Sequence, residues 1–172
     1  MVFFKTREFE FEARRAMWYC PRGGSDFAEV ENICQQIKDG NYESWYRGWK
    51  DGAEKLLKRS QRYSSKISQG HAFLRASRYF QASEFFLSPL DKRKIDVYRL
   101  SVHYFYEGLK MLEIPYRLEN IPYEDRSLRS LYFTHKTKTC KGTLFICGGF
   151  DALLEELYFT NVVAGIEEGY DV

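Results

Sequence analysis

The strongest indication of the fold class of this chain is the segment Thr143-Leu144-Phe145-Ile146-Cys147-Gly148-Gly149-Phe150-Asp151. A short, continuous, mainly apolar run such as residues 143–147 is typical of a strand buried on both faces of a parallel sheet. The glycine pair permits a sharp turn, and the residues after it predict a helix over 152–168 that is capped by Gly169. Residues 170–172 then begin another strand, so the pattern predicts a βαβ unit cut off at its second strand.

The residues just before this unit predict two further strands. Pro115 and Pro122 bound an extended segment, and we expect it to lie at a sheet edge because each proline lacks a ladder donor. Residues 123–126 predict a turn, residues 128–134 a second strand, and residues 136–142 a polar loop.

The composition changes near residue 113, and the pattern before it is helical. Residues 9–19 predict either a short helix or an irregular segment before the bundle. Apolar residues then recur at helical spacing in four segments on short connections, which predicts a compact bundle. Ser25 or Asp26 is the expected N-cap of the first segment and Asp91 that of the last. The four predicted helices cover residues 27–37, 42–67, 71–87 and 92–112. The predicted organisation is therefore α/β: a helical domain over 1–113, followed by an incomplete sheet domain over 114–172.

Composition excludes several classes of protein. The 172 residues are 44% hydrophobic, enough for a core, and the net charge of +2 argues against a dedicated nucleic-acid binder. No apolar run reaches the roughly 18 residues that a membrane helix needs, and Lys5 comes too early for a signal peptide. The four cysteines form no CxxC pair, so we expect reduced thiols, a cytoplasmic protein and neither a metal nor another cofactor. Cys147 is expected to be a core cysteine.

The turn at residues 148–151 carries the strongest chemical signal. Backbone N–H groups near a helix N-terminus favour an anion, and in an acyl-transfer enzyme they can form half of an oxyanion hole. A tight turn without a ligand explains the same residues. The spacing is not that of a GxGxxG dinucleotide site. Asp151 either caps the following helix or stands at the mouth of a pocket as a proton-transfer group.

The other candidate functional residues can each be explained by a structural role as well as by a functional one. The chain contains no GxSxG, and His71, His103 and His135 lie on separate elements, where we expect structural roles. Interleaved arginines and aromatics at 45–49 and 75–80 either stack on a ligand ring or pack in the core. The basic outer face predicted for helix 42–67 either attracts an anion or is simply solvated.

An ordered set of segments gives a family resemblance. The set comprises residues 23–30, 39–46, 75–80, 84–87, 121–124 and 147–156. In this order they resemble the N-terminal part of the α/β-hydrolases related to FrsA-like esterases and dihydroxypseudooxynicotine hydrolase. The resemblance implies a helical cap over an α/β-hydrolase sheet, with residues 115–122 and 128–134 as its first, antiparallel strands.

The same resemblance implies site residues. The turn at Gly149 and Phe150 matches the position of the oxyanion donor, with the Phe150 N–H as the donating group. Asp151 matches an acidic position used by members that cleave carbon–carbon bonds, although those members have the longer Glu. Trp45, Arg78 and Tyr79 are the candidates to line the pocket. The implied substrate is a small carbonyl compound, cleaved at an ester or at a carbon–carbon bond next to the carbonyl.

The family's nucleophilic Ser, acid and His should all lie beyond Val172, so the resemblance implies that this chain alone is inactive. We expect it to be a fragment of a longer protein, or to have its sheet completed by a partner, including a second copy at the unpaired edge. The alternative function is a non-catalytic helical interaction module whose βα tail docks on a partner.

Overall fold

A computed structural model describes residues 2–135 and 139–172. The chain divides into two compact units, Met1–Glu113 and Ile114–Val172. Of the polar loop predicted over 136–142, residues 136–138 lie outside the described residues.

The first unit is helical. Over residues 2–113 the structure describes five α-helices and one short 3-10 turn, Cys20–Arg22. The helices are α1 (Arg7–Trp18), α2 (Phe27–Cys34), α3 (Tyr42–Ser60), α4 (Lys66–Glu84) and α5 (Lys92–Met111). The segment at residues 9–19 is therefore a regular helix.

Side-chain caps set where α2, α3, α4 and α5 begin. The Asp26 carboxylate accepts the N–H of Glu29, and the Asp91 carboxylate accepts the N–H of Arg93 at 2.9 Å, as the sequence predicts. Asn41 and Ser65 cap α3 and α4 in the same way. Each cap satisfies one N–H that has no partner inside its helix.

The predicted boundary between the second and third bundle helices is wrong. One helix was expected over 42–67, but α3 ends at Ser60 and α4 begins at Lys66. Ser65 starts the new helix because its hydroxyl accepts the N–H of Ser68. Gly70, expected to separate two helices, lies inside α4, where an added Cβ would come within 2.7 Å of Leu112 Cγ. It therefore permits close packing against the end of the bundle rather than a break.

Aromatic side chains fill the core of the helical unit. Phe9, Trp45 and Trp49 are completely buried, and the Phe9 and Trp45 ring centroids are 4.7 Å apart. Phe4, from the extended segment before α1, packs edge-on against Phe9. These rings join α1 and α3 in one apolar cluster, and burial of apolar area is the main stabilising contribution of such a cluster.

The second unit opens with the predicted antiparallel hairpin. Strand β1 (Arg117–Tyr123) pairs with β2 (Arg126–Tyr132) from Arg117 opposite Tyr132 to Tyr123 opposite Arg126. The two-residue turn places Glu124 at a φ of 51°. A tight two-residue turn of this kind fixes the register of the two strands.

Residues 143–147 do not form the predicted regular strand buried on both faces. Thr143 makes a single parallel bridge with Asp171, while Phe145 is 84% exposed. Val172 exchanges two backbone hydrogen bonds with Phe133, just past β2. Segment 170–172 thus lies between the hairpin end and Thr143. It is only three residues long, so residues after Leu144 find no strand partner in the described chain.

The helix predicted over 152–168 is also interrupted. It is replaced by a 3-10 turn (Leu154–Glu156), a π-helical turn (Tyr158–Val162) and the short helix α6 (Val163–Glu167). The β-branched residues near Thr160 lower helix propensity. The Thr160 hydroxyl donates to Asn161 Oδ1 at 2.6 Å.

Within residues 2–135 and 139–172, no helix is both long enough and apolar enough to cross a membrane.

Candidate functional site

The turn at residues 148–151 is open to solvent. The Phe150 side chain is fully exposed, and an added Cβ at Gly149 would meet no atom within 4 Å. The Ala152 N–H donates to the Gly149 carbonyl at 3.2 Å, which closes the turn tightly. A Cβ at Gly148 would approach Ala152 Cβ to 2.7 Å, so glycine is required there for close approach. The geometry leaves the backbone of Gly149 and Phe150 accessible to a ligand.

Two expectations around this turn are corrected. Cys147 is exposed, not a core cysteine, because residues 145–147 have no covering strand in the described chain. No regular α-helix begins directly after the turn, since Leu153 is extended and the 3-10 turn follows it. The positive potential of a long helix N-terminus therefore does not act on residues 148–151, and an anion there depends on the local N–H groups alone.

A buried ion pair fixes the residues that follow the turn. The Glu155 side chain is 2% exposed, and its Oε1 accepts a hydrogen bond from Arg129 Nη2 at 2.5 Å. Arg129 belongs to β2, so the pair ties the 3-10 turn to the hairpin. Removing one partner of such a pair leaves an unpaired buried charge, which is costly. Sequence reasoning singled out Glu155 only as part of the family resemblance and missed Arg129, because nothing in the spacing of the two residues indicates their contact.

An apolar groove of about 270 Å³ lies in the same unit. Ile146 and Leu154, on either side of the turn, line it together with Leu131, Phe133 and Val162. Among the described residues, 148–151 themselves lie outside that lining. The turn therefore borders a concave apolar surface without forming its wall.

The predicted pocket residues of the helical unit are packed inside it. Trp45 is completely buried and its Nε1 donates to the Ala82 carbonyl at 2.8 Å. Arg78 is 7% exposed, and its guanidinium lies over the Tyr19 ring at 4.1 Å. Both side chains are thus engaged with other parts of the helical unit, and their role toward a substrate stays a prediction.

Tyr79 belongs to a buried polar group centred on Glu29. The Tyr79 hydroxyl donates to Glu29 Oε2 at 2.9 Å and accepts the N–H of Asp26 at 3.0 Å. Arg75 Nε donates to the same carboxylate oxygen at 2.8 Å. Burial, with the negative charge of Glu29, raises the pKa of Tyr79 far above its usual range, so the phenol stays neutral. A role of Tyr79 in lining a substrate pocket stays a prediction.

A second cluster was missed by sequence reasoning. His135 Nδ1 lies 2.6 Å from Asp171 Oδ1, and Tyr132 donates its hydroxyl to Asp171 Oδ2 at 2.5 Å. These hydrogen bonds, with one from the His135 N–H, hold the pKa of the Asp171 carboxyl well below its usual range. Cys140 Sγ is close enough that potential ligand atoms of His135, Cys140 and Asp171 all lie within 4.8 Å of one another. Asp171 lies 36 positions after His135, so only the fold brings it to the other two residues.

Comparison with known proteins gives a consistent set of relatives. The chain is 33% identical to a 20-hydroxy-prefusarin hydrolase, FUS2, of Gibberella moniliformis over 98% of this chain and 43% of the relative. It is 33% identical to hydrolase acrC of Aspergillus aculeatus, over 99% of this chain and 44% of that protein. It is 28% identical to the α/β hydrolase gkaG of Penicillium citrinum, over 95% of this chain and 40% of that protein. The chain resembles the N-terminal part of an α/β-hydrolase.

The solved structures agree on the fold. The crystal structure of a 2,6-dihydroxy-pseudo-oxynicotine hydrolase matches with a TM-score of 0.62 at 13% identity, over 89% of this chain and 43% of that one. No family model matches the sequence. The chain spans less than half the length of the curated relatives that it matches. A helical unit followed by the opening elements of an α/β-hydrolase is thus the shared architecture.

Proposed function

We propose that this chain is the N-terminal portion of a serine-type α/β-hydrolase that cleaves an ester, or a carbon–carbon bond next to a carbonyl. In this proposal the helical unit acts as a lid and the turn at residues 148–151 supplies part of the oxyanion hole. The nucleophilic Ser, the acid and the His come from parts of the protein outside this chain. The open backbone at Gly149 and Phe150 is the observation that supports the proposal most directly.

The chemistry requires such a backbone donor. Attack on a carbonyl carbon places negative charge on the carbonyl oxygen, and a fixed N–H pointing at that oxygen stabilises the transition state more than the substrate. The Phe150 N–H is the proposed donor. Asp151, next to it and exposed, is the proposed proton-transfer group for a carbon–carbon substrate.

The test uses the protein that extends this chain to the length of its relatives, with a chromogenic acyl ester as substrate. Phe150→Pro removes the N–H, and we expect kcat to fall by about 10²- to 10³-fold. Phe150→Ala is the matched control, because it keeps the N–H and alters only an exposed side chain. The 172-residue chain alone should give no turnover.

Two results contradict the proposal. One is an unchanged kcat in the Phe150→Pro protein with its fold intact by circular dichroism. The other is ester turnover by the 172-residue chain that is lost when Cys147 is replaced, since this would assign the nucleophile to the chain itself.

A second candidate is a non-catalytic interaction module. It is favoured by the apolar side chains that the second unit exposes, including Phe145, Phe150 and Leu128. Exposed apolar surface of this kind is typical of a contact site for another polypeptide. In the hydrolase proposal the rest of the enzyme covers this surface. In the module proposal a separate partner, or a second copy of the chain, covers it.

A further inference from the structure

We propose that His135, Cys140 and Asp171 form a binding site for a divalent transition-metal ion of the Zn²⁺ class. The three side chains come from the end of the hairpin, the following loop and the segment at 170–172. Their potential ligand atoms lie within 4.8 Å of one another. This inference does not depend on the hydrolase proposal.

The donor set suits this class of ion. Zn²⁺ binds Cys sulfur, His nitrogen and carboxylate oxygen in a tetrahedral arrangement, and three protein ligands leave one position for water. Cys140 is exposed, and the side chains of His135 and Asp171 are 13% and 15% exposed. An ion can therefore reach the cluster from solvent without opening the unit.

The His135 and Asp171 ligand atoms need only a small adjustment. In a tetrahedral Zn²⁺ site, nitrogen and oxygen ligands about 2.0–2.1 Å from the metal stand about 3.3 Å apart. His135 Nδ1 and Asp171 Oδ1 are 2.6 Å apart, joined by a hydrogen bond. Binding replaces that bond with two metal–ligand bonds as the atoms separate by about 0.7 Å, and the Nδ1 proton leaves so that the neutral ring carries its proton on Nε2. Cys140, whose thiol donates to the Gly142 carbonyl at 3.3 Å, loses its proton on binding.

The surrounding contacts already orient the ligands. The Tyr132 hydroxyl donates to Asp171 Oδ2, and the His135 backbone N–H donates to Asp171 Oδ1 at 2.9 Å. Outer contacts of this type fix the direction of a ligating carboxylate and contribute about 10- to 100-fold to metal affinity. A bound ion would connect three chain segments in the second unit and so stabilise the folded state.

Two exposed cysteines in the same unit give an internal control. Purified 172-residue chain is treated with an alkylating reagent with and without Zn²⁺, and modification of Cys140 and Cys147 is followed by mass spectrometry. We expect Zn²⁺ to slow alkylation of Cys140 at least tenfold and to leave the rate at Cys147 unchanged. Equal rates at Cys140 with and without the ion, or equal protection of both cysteines, would overturn the site.

Binding of Co²⁺ gives a second readout. We expect one equivalent to bind with a thiolate-to-cobalt charge-transfer band that is absent in Cys140→Ser and present in Cys147→Ser. Tyr132→Phe should weaken binding by about tenfold because it removes the outer hydrogen bond to Asp171. Cys140 is exposed, so its replacement tests the site without disturbing packing. Equal Co²⁺ affinity in the two cysteine variants contradicts the proposal.

Discussion

At the scale of single residues, Glu29 organises the polar interior of the helical unit. Its carboxylate accepts hydrogen bonds from Tyr79 and Arg75, and it also pairs with Arg59. These residues belong to α2, α3 and α4, so one side chain joins three helices. Since the carboxylate is largely buried, its negative charge would destabilise the folded state without these partners.

Replacing Tyr79 by Phe tests this arrangement. The ring and its packing remain, but the hydrogen bond to Glu29 and the one from the Asp26 N–H are lost. We expect the free energy of unfolding to fall by about 1–3 kcal/mol, because two partly buried polar groups lose a partner. Urea denaturation monitored by circular dichroism measures the change.

Tyr63→Phe is the control for that measurement. The Tyr63 hydroxyl accepts an exposed hydrogen bond from Arg59 Nε at 2.9 Å, so its loss should cost less than about 0.5 kcal/mol. Equal losses of stability in the two variants would contradict a special role for the buried contact.

At the scale of elements, carboxylates hold the extended segment before α1. Glu10 accepts the N–H groups of Phe3 and Phe4 at 2.8 and 3.0 Å, and Asp39 accepts that of Lys5 at 2.9 Å. Burial alone would raise the pKa of Glu10, but the hydrogen bonds from Phe4, Arg14 and Phe3 outweigh it and lower the pKa. The segment is thus fixed by charge as well as by the burial of the Phe4 ring.

This arrangement predicts acid sensitivity. The contribution of Glu10 is complete above its unfolded pKa of about 4.3 and is lost as the pH falls through its lower folded pKa. Glu10→Gln should lower the free energy of unfolding by about 1 kcal/mol at pH 7 and flatten its decline between about pH 5 and pH 3. Urea titrations across this range measure it. Glu54→Gln, which removes an exposed pair with Lys50, is the control and should change the free energy of unfolding by less than about 0.5 kcal/mol.

The elements differ in how far the sequence predicted them. Helix starts at Asp26 and Asp91 followed from local caps, and the hairpin followed from its strand pattern and turn, because both signals lie within a few residues. The break between Ser60 and Lys66 was missed, since the apolar spacing of 42–67 continues across it. Residues 143–147 were predicted as a buried strand because an apolar run of this kind is typical of a strand covered on both faces. In the described chain, residues 145–147 have no strand partner.

In the candidate site, too, local features could be predicted from the sequence and long-range contacts could not. The turn at 148–151 was recognisable from its glycines, and the structure leaves its backbone open. The contact between Arg129 and Glu155, and the meeting of His135, Cys140 and Asp171, could not be predicted, because each depends on segments distant in the chain.

At the scale of the whole molecule, both units expose large apolar side chains, and those of the second unit include residues beside backbone that lacks a strand partner in the described chain. Phe145 is 84% exposed, and it follows the last residue of its segment that finds a strand partner in the described chain. Unpaired backbone next to apolar side chains favours association with another polypeptide.

We therefore expect the isolated chain to self-associate, with a mass by light scattering above 20.4 kDa that rises with concentration. Phe145→Asp should shift the mass toward that of the monomer. Leu90→Asp changes an equally exposed apolar residue of the helical unit and should leave association unchanged. A monomeric mass for the unmodified chain at every concentration contradicts the expectation.

The position of Asp171 and Val172 has a consequence for how the second unit is assembled. During synthesis the ribosome releases Phe133 and Thr143 well before the residues that bridge them. Segment 170–172, which lies between Phe133 and Thr143, is therefore synthesised after both of them. The two flanking segments stay unpaired until then. Deleting residues 170–172 from the 172-residue chain should detach the Thr143 segment from the hairpin while leaving the helical unit folded, which faster amide exchange at Phe133 and Leu144 would show.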